Sequence, residues 1–107
     1  MRRTYDEEGA KALTANFLKG LLRKKGMTYR AIAKKLRSWG WEGNPQSLAN
    51  RLSRGGFSAG FFIIVLKALD EEGVKLSDVE RLGLKTEERA LSLKSARLEK
   101  MKSRYRI

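Results

Sequence analysis

The 107-residue chain contains no cysteine and no histidine, and it has a single proline, Pro45. Without cysteine there is no disulfide, no thiol nucleophile and no thiolate metal site. Without histidine the commonest general base and the commonest zinc ligand are also missing. Enzymatic chemistry would have to rest on carboxylates or lysines. The acidic pairs Glu7-Glu8, Glu71-Glu72 and Glu87-Glu88 sit beside helix-start or loop signals, where solvated or dipole-facing carboxylates are expected. No enzyme, cofactor or metal site is therefore expected.

Long apolar runs are also lacking. The longest, AGFFIIVL from Ala59 to Leu66, is far below the roughly 20 residues that span a bilayer. The N-terminal MRRTYDEEGAKAL has early acid and no apolar core of the kind a secretory signal needs. The expected location is the cytoplasm, in association with the nucleoid. The length allows one domain with one modest core, plus a tail.

What is abundant is positive charge. Lys and Arg number 24 against 12 Asp and Glu, for a formal net charge of +12, which points to nucleic acid or an anionic surface. Residues 16 to 67 carry eleven basic side chains against Glu42 alone, a net of +10. Residues 68 to 84 hold Lys75 and Arg81 against five acids, a net of −3, and residues 85 to 107 return to +5, eight bases against three acids. A chain polarised in this way is expected to present one docking face.

The pattern of apolar residues is helical throughout. In LTANFLKGLLRKKG, Leu13, Phe17 and Leu21 recur every four residues, Leu18 and Leu22 widen the stripe, and Gly26 follows a cationic last turn. Thr28 is an N-cap with Met27 before it and Ile32 four positions on; Ile32, Ala33 and Leu36 face inwards, and Arg30, Lys34, Lys35 and Arg37 outwards. Gly40 and Gly43 then break the chain around Trp39 and Trp41, which either cover the core edge or offer a ring for stacking on a base or sugar.

The next stretch, NPQSLANRLSRG, has Asn44 as cap, Pro45 in the first turn, Leu48 and Leu52 on one face and Gly55-Gly56 as its end. Ser58 caps a further helix with Phe57 and Phe62 as a staple, and Phe62, Val65, Leu66 and Leu69 form its expected inward stripe. Phe61 and Ile64 fall off that stripe and form a second apolar strip that needs a cover. Ser77 is the expected cap of a short fifth helix, with Val79 and Leu82 as anchors. From Thr86 a separate basic helix or tail is expected, with Leu84, Leu91, Leu98 and Tyr105 seven apart and Met101 between. The chain thus divides into an N-terminal arm (1–12), a helical domain (13–84) and a basic C-terminal element (85–107).

GMTYRAIAKKL, PQSLANRLSRG and FSAGFFIIVLKALDEEGVKLSDV, taken in this order, resemble the lambda-repressor-like helix-turn-helix family of Cro and Xre-type regulators over residues 13 to 82. The turn from Leu36 to Asn44 is several residues longer than in typical members, and Tyr29 stands where the family often has glutamine. These features look like a bacterial branch of the fold with a long Trp-containing turn. The resemblance implies an all-α, five-helix domain that places the helix 44–54 in the major groove of double-stranded DNA, as transcription regulators do. Gln46, Ser47, Asn50 and Arg51 are then the base-reading candidates, since Asn and Gln suit adenine and Arg suits guanine. Arg23, Lys24, Lys25, Thr28, Arg30, Lys34, Lys35, Arg37, Arg54 and Ser58 are the phosphate-binding candidates. A homodimer through the Phe61 and Ile64 strip or through the C-terminal helix is also expected, with the choice between them open.

Two other functions fit the same residues. One is a protein-interaction module on this scaffold, such as an antitoxin or phage regulator, because an acidic partner would also explain the charge. The other is RNA or single-strand binding, favoured if Trp39, Trp41 and Tyr29 are exposed together beside basic residues. Binding to a membrane surface through the tail is disfavoured by its thin stripe and lack of tryptophan.

Overall fold

The computed structural model describes residues 5 to 104, with side chains as far as Lys94. The described chain is entirely helical: α1 (Glu7–Lys25), α2 (Tyr29–Ser38), α3 (Pro45–Arg54), α4 (Ala59–Ala68) and α5 (Leu76–Arg104). No helix among the described residues is long and apolar enough to cross a membrane.

Local signals set most boundaries. Asp6 caps α1, accepting from the Gly9 N–H at 2.7 Å, and Glu7 and Glu8 occupy its first turn, so the helix begins within the segment expected to be an arm. Thr28 caps α2 by accepting from the Ala31 N–H, and Ser58 caps α4 by accepting from the Phe61 N–H. The staple before α4 closes as expected, with the Phe57 and Phe62 rings stacked at 6.1 Å.

The core joins Phe17, Leu18, Leu21 and Leu22 of α1 to Ile32, Ala33 and Leu36 of α2. Leu48 and Leu52 of α3 and Phe61, Val65 and Ala68 of α4 complete it, with Leu69. Helix α1 packs against both α3 and α5, while α2 packs against α3 and α4.

The expected break between a fifth helix and a tail does not occur. Helix α5 runs unbroken for 29 residues, and Ser77 lies in its first turn as an exposed residue instead of capping it. Its start is held by the Asp78 carboxylate, which accepts from the Lys75 N–H at 3.1 Å. Gly83, inside α5, is a crossing point: a Cβ there would lie 2.9 Å from the Leu13 carbonyl oxygen of α1. Gly20 of α1 meets Thr86 and Leu82 of α5 in the same crossing. The divisions at 12 and 84 therefore fall inside α1 and α5.

The inward face of α4 is also rotated from the expected one. Phe61 is buried, while Phe62 and Leu66 are half-buried. Phe61 is covered from within the chain, by Trp41 at 6.4 Å and Phe57 at 5.8 Å between ring centroids. It is therefore unavailable as half of a dimer strip; the exposed pair on α4 is Ile63 and Ile64.

Candidate nucleic-acid interface

The polar face of α3 begins with a reciprocal cap. The Asn44 side chain accepts from the Ser47 N–H at 2.8 Å, and the Ser47 hydroxyl accepts from the Asn44 N–H at 3.0 Å and donates to the Asn44 carbonyl at 2.9 Å. Ser47 is thus committed to the helix start, which lowers its value as a base reader. Gln46 and Asn50, one turn apart, are both exposed and joined by a bond from Gln46 Nε2 to Asn50 Oδ1 at 3.3 Å. The helix has no acidic residue in its first turn, so its positive dipole end is not neutralised by its own side chains.

Arg51 lies with its guanidinium carbon 3.8 Å from the centroid of the Phe61 ring. Stacking uses the face of the guanidinium and leaves its in-plane N–H donors available. Ser47, Asn50, Arg51 and Arg54 line one groove together with Ser58, whose hydroxyl is first of all the cap of α4. The opposite wall is α1, through Glu8 and Lys11. Lys11 is a wall residue that sequence reading missed by placing it in an arm; its ammonium is 3.4 Å from Glu8. Gly55 makes the approach of α1 to α3 possible, since its φ is +66° and any Cβ would collide with the Lys11 carbonyl.

The phosphate-binding candidates divide into four groups. Arg30, Lys34 and Arg54 are exposed. Lys25 and Lys35 are engaged within the chain: Lys25 pairs with Glu71 at 3.0 Å, and Lys35 donates to the Ala68 carbonyl at 3.1 Å and lies 3.5 Å from Asp70. The acidic segment after α4 folds back on these two lysines because it connects α4 to α5 past the ends of α1 and α2. Arg37 donates to the Gly43 carbonyl at 3.3 Å and helps fold the turn, while Thr28 serves as the α2 cap. Arg23 and Lys24 are exposed but line a second groove, between α1 and α5, and are not brought together with the α3 row.

The two tryptophans part company. Trp41 packs on the core and on Gly43, and its backbone N–H donates to the Leu36 carbonyl at 3.1 Å. Trp39 projects from the turn, 52% exposed. With Trp41 and Tyr29 both packed against the core, the three-ring platform that would favour single-strand binding is not formed.

Among the described residues, no group of three or more carboxylates is placed to hold a metal ion. The profile of a domain of unknown function, DUF6471, matches residues 10–74, which span α1 to α4 and stop just before α5. No curated protein and no solved structure matches the chain. On the extent of that match, the chain belongs to the DUF6471 family.

Proposed function

We propose that the chain is a double-stranded DNA-binding protein with sequence preference, acting as a transcription regulator that docks α3 in the major groove. The observation that carries the reading is the outer row of α3. Gln46 and Asn50 are exposed together, Arg51 is oriented by Phe61, and Arg54 continues the row, with no acid in the first turn. Amide and guanidinium groups are the side chains that bridge adenine and guanine edges. Exposed Arg30 and Lys34 on α2 supply phosphate contacts beside that row. Packing of α2 on α3 across the turn 39–44 is consistent with the lambda-repressor-like arrangement that the sequence resembles.

A duplex titration tests this reading. Binding weakens with salt at a log–log slope of about −0.9 per phosphate neutralised. A flat response to salt would rule the reading out.

With Phe61 buried, we assign the dimer element to α5, where Leu84 and Leu91 are exposed seven residues apart. The rest of that stripe, Leu98, Met101 and Tyr105, lies outside the residues whose side chains are described. Leu91→Glu is expected to halve the mass measured in solution; an unchanged mass would place the dimer contact elsewhere.

A further inference from the structure

The groove between α1 and α5 has at its base Val74 and Leu82, both half-buried, over the buried Phe17 and Leu21. Its rim carries Arg23 and Lys24 of α1 with Lys85 and Arg89 of α5. None of these four cations has an ion-pair partner among the described residues. The two carboxylates that border the groove are already engaged, Glu71 with Lys25 at 3.0 Å and Asp78 with Arg81 at 2.9 Å. The site is therefore a slot with an apolar base and, around its mouth, four positive charges with no ion-pair partner among the described residues.

We infer that this groove binds a small amphiphilic organic anion, a carboxylate or sulfonate head on an apolar body. The charge at the rim selects an anion, and the floor selects one with hydrocarbon to bury, which inorganic phosphate lacks. The volume, about 800 Å³, lies within the range of small-molecule sites and holds a ligand of that kind.

The position of the groove argues against DNA as its occupant. At about 100° per residue, Leu13 and Gly20, which meet α5, lie roughly 200° and 180° around α1 from Lys11, which meets α3. The groove is thus on the far side of α1 from the reading helix, and a duplex docked on α3 does not reach it. The inference does not depend on DNA reading by α3.

Titration of the full chain with 8-anilinonaphthalene-1-sulfonate, followed by its fluorescence, tests the assignment. Saturable one-to-one binding is expected, displaced by monomeric decanoate but not by equal concentrations of inorganic phosphate or decanol. Arg23→Gln combined with Arg89→Gln should weaken binding roughly tenfold, while Lys19→Gln, an exposed α1 change outside the groove, should leave it unchanged. Both substituted positions are exposed, and an unchanged circular dichroism melt confirms that the fold is kept. The assignment fails if no binding is seen, if the double variant binds as tightly as the wild type, or if phosphate displaces the probe as well as decanoate does. It also fails if duplex DNA displaces the probe from the wild type but not from the double variant.

Discussion

The guanidinium of Arg51 stacks 3.8 Å from the centre of the Phe61 ring, so a side chain on the polar face of α3 is positioned by a core residue of α4. Burial of Phe61 under Trp41 and Phe57 gives that platform little freedom to move. A planar donor held in place loses less freedom on meeting a base edge.

Arg51→Ala removes that stacking and should lower stability by about 0.5–1 kcal/mol, whereas Arg54, which stacks on no ring among the described residues, should on change to Ala alter it by less than about 0.5 kcal/mol. Urea denaturation of both variants checks the difference. Equal midpoints would show that the stacking adds nothing.

Gly55 and Gly60 form a second matched pair. At Gly55 the backbone is left-handed and α1 is in contact, so Gly55→Ala should cost about 3 kcal/mol or more. Gly60 is near the start of α4 with only Ser58 Oγ at 3.9 Å from a Cβ, so Gly60→Ala should be neutral or stabilise by roughly 0.4–1 kcal/mol. Thermal melts of the two variants should move in opposite directions or differ widely; similar losses in both would contradict the tight approach of α1 and α3.

The Glu80 carboxylate of α5 raises the pKa of Tyr5 above the usual 10.0, chiefly as a hydrogen-bond acceptor for the protonated phenol, with desolvation and the Glu80 charge adding to the shift. The folded state then keeps the proton where the unfolded state has lost it. Any stability from this bond is full below pH 10.0 and disappears as pH rises through the raised folded value. The ultraviolet titration of wild type minus Tyr5→Phe should give a midpoint above 10.0, and Glu80→Gln should bring it down. An identical midpoint in the Glu80→Gln background would exclude Glu80 as the cause.

Elements with strong local chemistry were legible in the sequence. Asn44, Pro45 and Gly55 bound α3 at both ends, and Phe57, Ser58 and Phe62 set the start of α4, because caps and staples act within one turn. What escaped depends on residues distant in sequence. Gly83 carries the same local signal whether it ends a helix or admits a neighbour, and only the approach of Leu13 decides. Lys35 is engaged by a carbonyl 33 residues away. Phe61 looked like a spare apolar residue because its covers, Trp41 and Phe57, come from the two loops that flank α3. The outer row of α3 was legible residue by residue, but the capping role of Ser47 and the platform under Arg51 were not.

The most direct measurement of base reading by α3 compares wild type, Asn50→Ala and Lys34→Ala on a pool of random duplexes at several salt concentrations. Asn50→Ala is expected to change which sequences are preferred, with about 1–3 kcal/mol of discrimination lost at one base position. Lys34→Ala is expected to weaken all sequences alike and to reduce the salt slope by about 0.9. If both variants weaken every sequence equally and leave the preference intact, α3 does not read bases.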